Sequence, residues 1–103
     1  MFSIIYITAG DMAEARMIGR KLVEERLAAC ANIFPITSIF RWKGSIDEAN
    51  EFGIIVKTRS DKVKEIEERV KEIHSYEVPC VVSFMIEEGS QQYLKWINES
   101  VED

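Results

Sequence analysis

The chain has 103 residues, 47% of them hydrophobic, which is enough for one domain with a single core, spanning 1–103. Its 18 acidic and 13 basic residues give a net charge of −5, which argues against nucleic acids and anionic membranes as partners because both attract cationic proteins. The N-terminus has no basic region before its short apolar run, and Cys30 and Cys80 are far apart in sequence, so we expect a cytoplasmic protein without a disulfide framework.

The first half of the chain predicts a strand, a helix and a hairpin. Residues 2–8 (FSIIYIT) are rich in β-branched and aromatic side chains, which is typical of a buried strand. Asp11 and Glu14 have the spacing of a capping box and therefore predict the start of an amphipathic helix. After residue 29 the pattern becomes extended, with two β-rich runs joined by a turn centred on 43–45.

The central hairpin is longer than the strand beside which it lies. Each arm has about 14 residues and reaches about 45 Å, against about 25 Å for the first strand. Pro35 places its arm at a sheet edge or at a bulge, because proline cannot donate to a strand ladder. A long apolar edge invites pairing, so we predict association with further copies of the chain; a shorter hairpin with an irregular segment at 47–51 (DEANE) is the alternative.

The second half of the chain predicts a helix, a strand and a terminal helix. Ser60 is placed to cap a helix whose apolar side chains recur every three or four residues from Val63 to Ile73. A strand follows from about Val78 to Ile86, and residues 90–101 predict a short helix. The resulting order is that of the α+β ferredoxin-like βαββαβ sandwich with an added C-terminal helix, in which right-handed crossovers place strands one and three at the centre.

His74 and Cys80 are the first candidates for chemistry. Together with Glu77 they offer ligand types for copper or zinc, although three or four ligands would require carboxylates from a neighbouring subunit. The alternative is that His74 ends the helix, with its charged form favoured by the helix dipole, and that Cys80 is a small strand residue. A Cys–His nucleophile is disfavoured because a well-covered strand raises the pKa of a thiol, so we expect a non-enzymatic function.

Five segments in register resemble the CutA divalent-cation tolerance proteins: RLAACANI at 26–33, FRWKGSI at 40–46, VKT at 56–58, HSYEVP at 74–79 and YLKWI at 93–97. The resemblance covers essentially the whole chain. It implies a ferredoxin-like protomer in a tight homotrimer that is linked to tolerance of divalent cations, especially Cu(II). This chain departs from the family by having Ser75 in place of the usual proline, and Ile7 and Ile73 in place of a cysteine and a histidine with which some members bind copper, so that copper site is not implied here.

A cleft between subunits is the second candidate site. Ferredoxin-like trimers such as the PII signalling proteins hold small ligands in such clefts, and here Trp42, Glu51, Lys57 and Tyr76 are the candidate lining residues. The alternative is that Trp42 belongs to the hairpin core and Lys57 is a solvated strand end. We expect a homotrimer that acts in divalent-cation tolerance by binding cations or small ligands at these clefts, without an obligatory cofactor; a PII-like sensor without a metal role is the alternative.

Overall fold

The computed structural model describes residues 1–103 and has the predicted α+β order. The strands are β1 (Phe2–Ala9), β2 (Cys30–Trp42), β3 (Ser45–Arg59) and β4 (Val81–Ile86), and the helices are α1 (Met12–Glu24), α2 (Val63–Ile73) and α3 (Gln91–Ser100). The sheet is antiparallel with the order β2-β3-β1-β4, so the prediction that strands one and three are central is confirmed. None of the helices has the length and apolar character required to cross a membrane.

The main core lies between one face of the sheet and the helices α1 and α2. Alternate residues of β1 point into it, and Ile5 and Ile7 pair with Val56 and Ile54 of β3. The helices add side chains spaced three or four residues apart, as their apolar stripes predict. The completely buried apolar residues of this layer are Ile5, Ile7, Ala9, Ala15, Ile18, Leu22, Ile54, Val56, Ile66 and Val70.

The predicted helix caps are only partly correct. The Asp11 side chain accepts a hydrogen bond from the backbone N–H of Glu14 at 2.7 Å, as expected of an N-cap. The second half of the capping box is absent, because the Glu14 carboxylate accepts hydrogen bonds from Ser75 instead. The prediction that Ser60 caps α2 is wrong: a short 3₁₀ turn precedes the helix, and the Ser60 hydroxyl lies 2.7 Å from that of Ser3, a buried polar group that needs a partner.

The hairpin of β2 and β3 is regular over its full length. Its pairing runs without a break from Cys30 opposite Lys57 to Trp42 opposite Ser45, so Pro35 lies on an edge strand without a bulge and the irregular alternative for 47–51 is wrong. The turn has only two residues, Lys43 and Gly44, both with positive φ (50° and 83°), which suits the twist of a tight hairpin.

The molecule reaches 44 Å in its longest dimension.

The face of the sheet opposite α1 and α2 is covered at one end only. There α3 begins after Ser90, whose hydroxyl accepts from the N–H of Tyr93, and packs Ile97 and Val101 next to Ala29. Further along this face Phe84 is 60% exposed. The strand β4 begins at Val81, three residues later than predicted, where its pairing with β1 starts. We call this partly covered side the open face.

We predict that Gly53→Ala lowers the free energy of unfolding by about 1–3 kcal/mol, because a Cβ would lie 2.7 Å from Cζ of Phe34 and 3.2 Å from Cε1 of Tyr6 and the rings would have to move. Urea titration at fixed protein concentration measures the change. Gly89→Ala is the matched control, since its Cβ would meet only the flexible side chain of Leu94, at 3.3 Å. Equal midpoints for the two variants would contradict the tight contact at Gly53.

Candidate functional site

A groove of about 580 Å³ lies on the open face, where the hairpin passes the segment 74–80. Strand alternation places the contributing residues of β1, β2 and β3 on this face. The lining contains no lysine, arginine or histidine. Its aromatic and acidic members are Phe40, Trp42, Tyr76, Asp47, Glu51 and Glu77.

Glu51 is the most buried acid of the groove, with 7% of its surface exposed. The Tyr76 hydroxyl donates a hydrogen bond to its Oε2 at 2.5 Å. Burial together with this bond to a carboxylate raises the pKa of Tyr76 above its ordinary range, so the hydroxyl keeps its proton. Oε1 of Glu51 has no hydrogen-bond partner in the chain and is not sealed from solvent. Glu51 therefore presents one free acceptor to the groove.

His74 lies behind the groove with a completely buried side chain. It ends α2 as predicted, with its N–H bonded to the carbonyl of Val70. Nε2 is 2.7 Å from the carbonyl oxygen of Thr8, and the backbone N–H of Tyr76 donates to Nδ1 at 3.0 Å. Because a carbonyl can only accept and an amide N–H can only donate, the ring is neutral with its proton on Nε2. This differs from the charged form expected from the helix dipole.

Glu14 fixes the start of the segment 74–80 to α1. Its carboxylate accepts from the backbone N–H of Ser75 at 2.7 Å and from the Ser75 hydroxyl at 2.9 Å, and Oε2 lies 3.6 Å from Nδ1 of His74. Burial alone would raise the pKa of Glu14, but the hydrogen bonds from the backbone N–H and the hydroxyl of Ser75 lower it below its ordinary value. A proline in place of Ser75 would supply neither donor, so both hydrogen bonds require a residue other than proline at this position, and the second requires the hydroxyl.

Cys80 lines the groove, and burial together with the charge of Glu51 raises the pKa of its thiol, as predicted. It does not form a nucleophile–base pair with His74, because both ring nitrogens of His74 already have partners. Cys30 lies at the start of the opposite edge strand, where its thiol is 3.5 Å from the side-chain oxygen of Asn32. Both cysteines are free.

The groove brings together most of the residues that the sequence singled out. Trp42, Glu51 and Tyr76 of the predicted cleft line it, and so do two of the predicted metal ligands, Glu77 and Cys80. Lys57 does not, because it lies towards the other end of the open face with its Nζ 5.5 Å from the ring of Tyr93. Within one chain no three His, Cys, Asp or Glu side chains are close enough to hold a metal ion, so the metal site of His74, Cys80 and Glu77 stays a prediction.

The sequence analysis did not assign three residues to the candidate site or its support. Phe40 shares a strand face with Trp42, two positions away, and Asp47 pairs directly with Phe40, so period-two alternation was the available signal for both. Glu14 was assigned to helix capping alone. Its contact with Ser75 joins residues 61 positions apart, and no local pattern indicates it.

Comparisons with known proteins agree over the whole chain. A family model described as CutA1 divalent ion tolerance protein matches residues 3–100. The divalent-cation tolerance protein CutA of Archaeoglobus fulgidus is 51% identical over 102 residues, which are 99% of this chain and 100% of that protein. Its counterpart from Thermus thermophilus is 45% identical over 101 residues, covering 97% and 98% of the two chains.

Solved structures give the same result. The structure of the periplasmic divalent cation tolerance protein CutA from Archaeoglobus fulgidus superimposes with a TM-score of 0.97 at 51% identity and covers 99% of this chain and 100% of its own. The crystal structure of CutA1 from Pyrococcus horikoshii has a TM-score of 0.95 at 37% identity, with coverage of 98% and 99%. The α+β fold and its hairpin are therefore those of these proteins.

We predict that Glu14→Gln lowers the free energy of unfolding by about 1–2 kcal/mol at pH 7, since charge-assisted hydrogen bonds are weakened. The folded state depresses the pKa of Glu14 below its ordinary 4.5, so its contribution is present above that pH and is lost as the pH falls through the folded-state value. The difference from wild type should therefore shrink below about pH 4.

Urea titrations at pH 7 and pH 3, at one protein concentration, measure this difference. Glu24→Gln is the control, because Glu24 is exposed on the same helix and has no ion-pair partner. A deficit in Glu14→Gln that is equally large at both pH values would show that the charge of Glu14 is not its cause.

Proposed function

Since this chain belongs to the CutA1 divalent ion tolerance protein family, we propose that it acts in divalent-cation tolerance as a homotrimer that binds cations or small ligands in the groove of each subunit. One observation carries this proposal: Glu51, almost fully buried, presents a free carboxylate oxygen to a groove that contains two further acids and no basic residue. Such a lining attracts cations and disfavours anions.

The homotrimer is supported by the surfaces that a single chain leaves open. Ile39 and Ile46 on the outer hairpin are 70% and 67% exposed, and Phe84 on the open face is 60% exposed. The sheet also ends in two unpaired edges, β2 and β4. A ring of subunits would bury the apolar side chains and cover both edges at once, which a lone chain of this size does not achieve. The groove then lies next to a neighbouring subunit.

The charges of the groove favour a cation over the nucleotides that a PII-like sensor would bind. A nucleotide requires cationic groups for its phosphates, and the lining has none. Lys57 lies over Tyr93, and Arg59 is paired with Asp61 and Asp103. Neither cation is therefore placed to serve an anionic ligand in this groove.

We propose further that Cys80 and Glu77 contact a divalent ion directly, with Cu(II) as the first candidate. Both residues line the groove, and a neighbouring subunit would complete the coordination with its own carboxylates. His74 belongs to the predicted ligand set, but a metal reaches it only in exchange for its bond to Thr8 or to Tyr76. A ligating thiol loses its proton, so binding is expected to strengthen with rising pH.

A cytoplasmic location remains part of the proposal. Two free cysteines fit a reducing compartment, whereas the structure from Archaeoglobus fulgidus is that of a periplasmic protein. Fractionation of cells that carry the untagged chain separates the two locations. Recovery in the periplasmic fraction would remove the cytoplasmic assignment and leave the groove unaffected.

For the trimer, we predict a particle mass of about three times the 11.9 kDa of the chain by light scattering at micromolar concentration. Phe84→Lys should shift the particle towards the single-chain mass, because a charge would be buried in the interface. Val23→Lys is the control, since Val23 is exposed on the helical side of the molecule. If the wild-type protein is folded but has the mass of a single chain, both the trimer and the intersubunit site are excluded.

For the metal, we predict that Cys80→Ser weakens Cu(II) binding by about tenfold or more, because a sulfur ligand is lost. Cys30→Ser should leave the affinity unchanged, as Cys30 lies outside the groove. Calorimetry under argon, repeated with redox-inert Zn(II), measures both variants at pH 6 and pH 8. Equal affinities for the two serine variants would exclude Cys80 as a ligand.

A further inference from the structure

The groove has more space than a metal ion requires. A coordinated ion needs three or four ligand atoms converging on one point, and no such group exists within the chain. The volume of about 580 Å³ lies instead within the range of about 300–1,000 Å³ that is usual for sites of small organic molecules. Size and lining together therefore indicate an organic ligand.

Glu51 specifies the charge of that ligand. The residue is 7% exposed, and only Oε2 of its carboxylate has a partner, the Tyr76 hydroxyl at 2.5 Å. Oε1 has no partner in the chain and remains open to the groove, so a cationic N–H donor would bind it by a charge-assisted hydrogen bond. Asp47 and Glu77 add negative charge around the same space. All three acids thus favour a positively charged ligand.

The aromatic walls complement an alkylammonium ion rather than a hydrated metal. Phe40 and Trp42 lie two positions apart on one strand face, and each remains more than a third exposed. Lys43 already places its Nζ 5.7 Å from the centre of the Trp42 ring, so this ring attracts an ammonium group of its own chain. Aromatic faces bind both the methylene groups and the charged end of such a ligand.

We propose that the groove binds a small organic cation with a primary ammonium group. The ammonium donates to Oε1 of Glu51, and the alkyl part lies along Phe40 and Trp42. Tyr76 acts as a positioning residue, because it holds Glu51 by Oε2 and leaves Oε1 for the ligand. This inference rests on the proposed function of the groove as a ligand site and names the class of that ligand.

The test is calorimetric titration of the assembled protein with pentylammonium chloride. Pentan-1-ol and sodium pentanoate have the same chain length without a positive charge, and we expect each to bind at least about tenfold more weakly. Glu51→Gln keeps the shape of the side chain and should weaken pentylammonium binding by about tenfold or more. Glu48→Gln removes the same charge three residues away, outside the groove, and should leave the affinity unchanged.

Trp42→Leu provides an independent variant at the exposed end of the hairpin. We expect about threefold weaker binding, because the aromatic face is lost while an apolar side chain remains. Thermal unfolding establishes that each variant is folded. If Glu51→Gln does not fold, the binding of pentylammonium to Trp42→Leu tests the inference instead. Equal binding of the alcohol and the ammonium ion, or full affinity in the folded Glu51→Gln or Trp42→Leu variant, overturns the inference.

Parallel titration with Cu(II) separates this inference from the proposed metal function. Copper binding without pentylammonium binding overturns the organic ligand and leaves the metal proposal standing. Pentylammonium binding without copper binding supports the organic ligand and removes the metal proposal. Binding of neither overturns both.

Discussion

The hairpin of β2 and β3 extends beyond the rest of the sheet. Both the groove and the expected assembly of subunits depend on this excess length. β1 pairs with β3 only between Phe52 and Arg59, so the outer hairpin has no strand beside it except its own two arms. The two arms hydrogen-bond to each other along their inner edges. The backbone groups on their outer edges, and the side chains, must find partners elsewhere. The groove exists because this projecting ribbon lies next to the segment 74–80. Part of the exposed apolar surface that favours assembly, including Ile39 and Ile46, lies on the same ribbon.

A chain of hydrogen bonds connects the helical layer to the groove on the other side of the sheet. Glu14 of α1 holds Ser75, His74 accepts from the N–H of Tyr76, and Tyr76 in turn holds Glu51. Each group has a fixed role as donor or acceptor, so a single protonation pattern satisfies all of them. The position of one buried carboxylate oxygen is therefore determined by contacts that begin on the opposite side of the sheet.

Local periodicity was sufficient to predict the elements, their order and the central strands, because the buried residues of β1, α1 and α2 follow periods of 2 and 3.6. Partners distant in sequence were not predictable in this way. Ser60 bonds to Ser3 instead of capping α2, and Glu14 bonds to Ser75 instead of completing its box. Lys57 shares the open face with Glu51, but six residues of strand separate them by about 20 Å, so the two residues do not line one groove within a single subunit.

The unbroken register of the hairpin also limits how its length can vary among relatives. An insertion of one residue in each arm, between the pairs Ile36–Glu51 and Phe40–Asp47, would preserve cross-strand pairing, yet it would rotate Phe40 and Trp42 to the other side of the ribbon. Two residues per arm would restore their direction but carry them about 7 Å further from the segment 74–80. Relatives that retain the groove are therefore expected to retain the length of the hairpin.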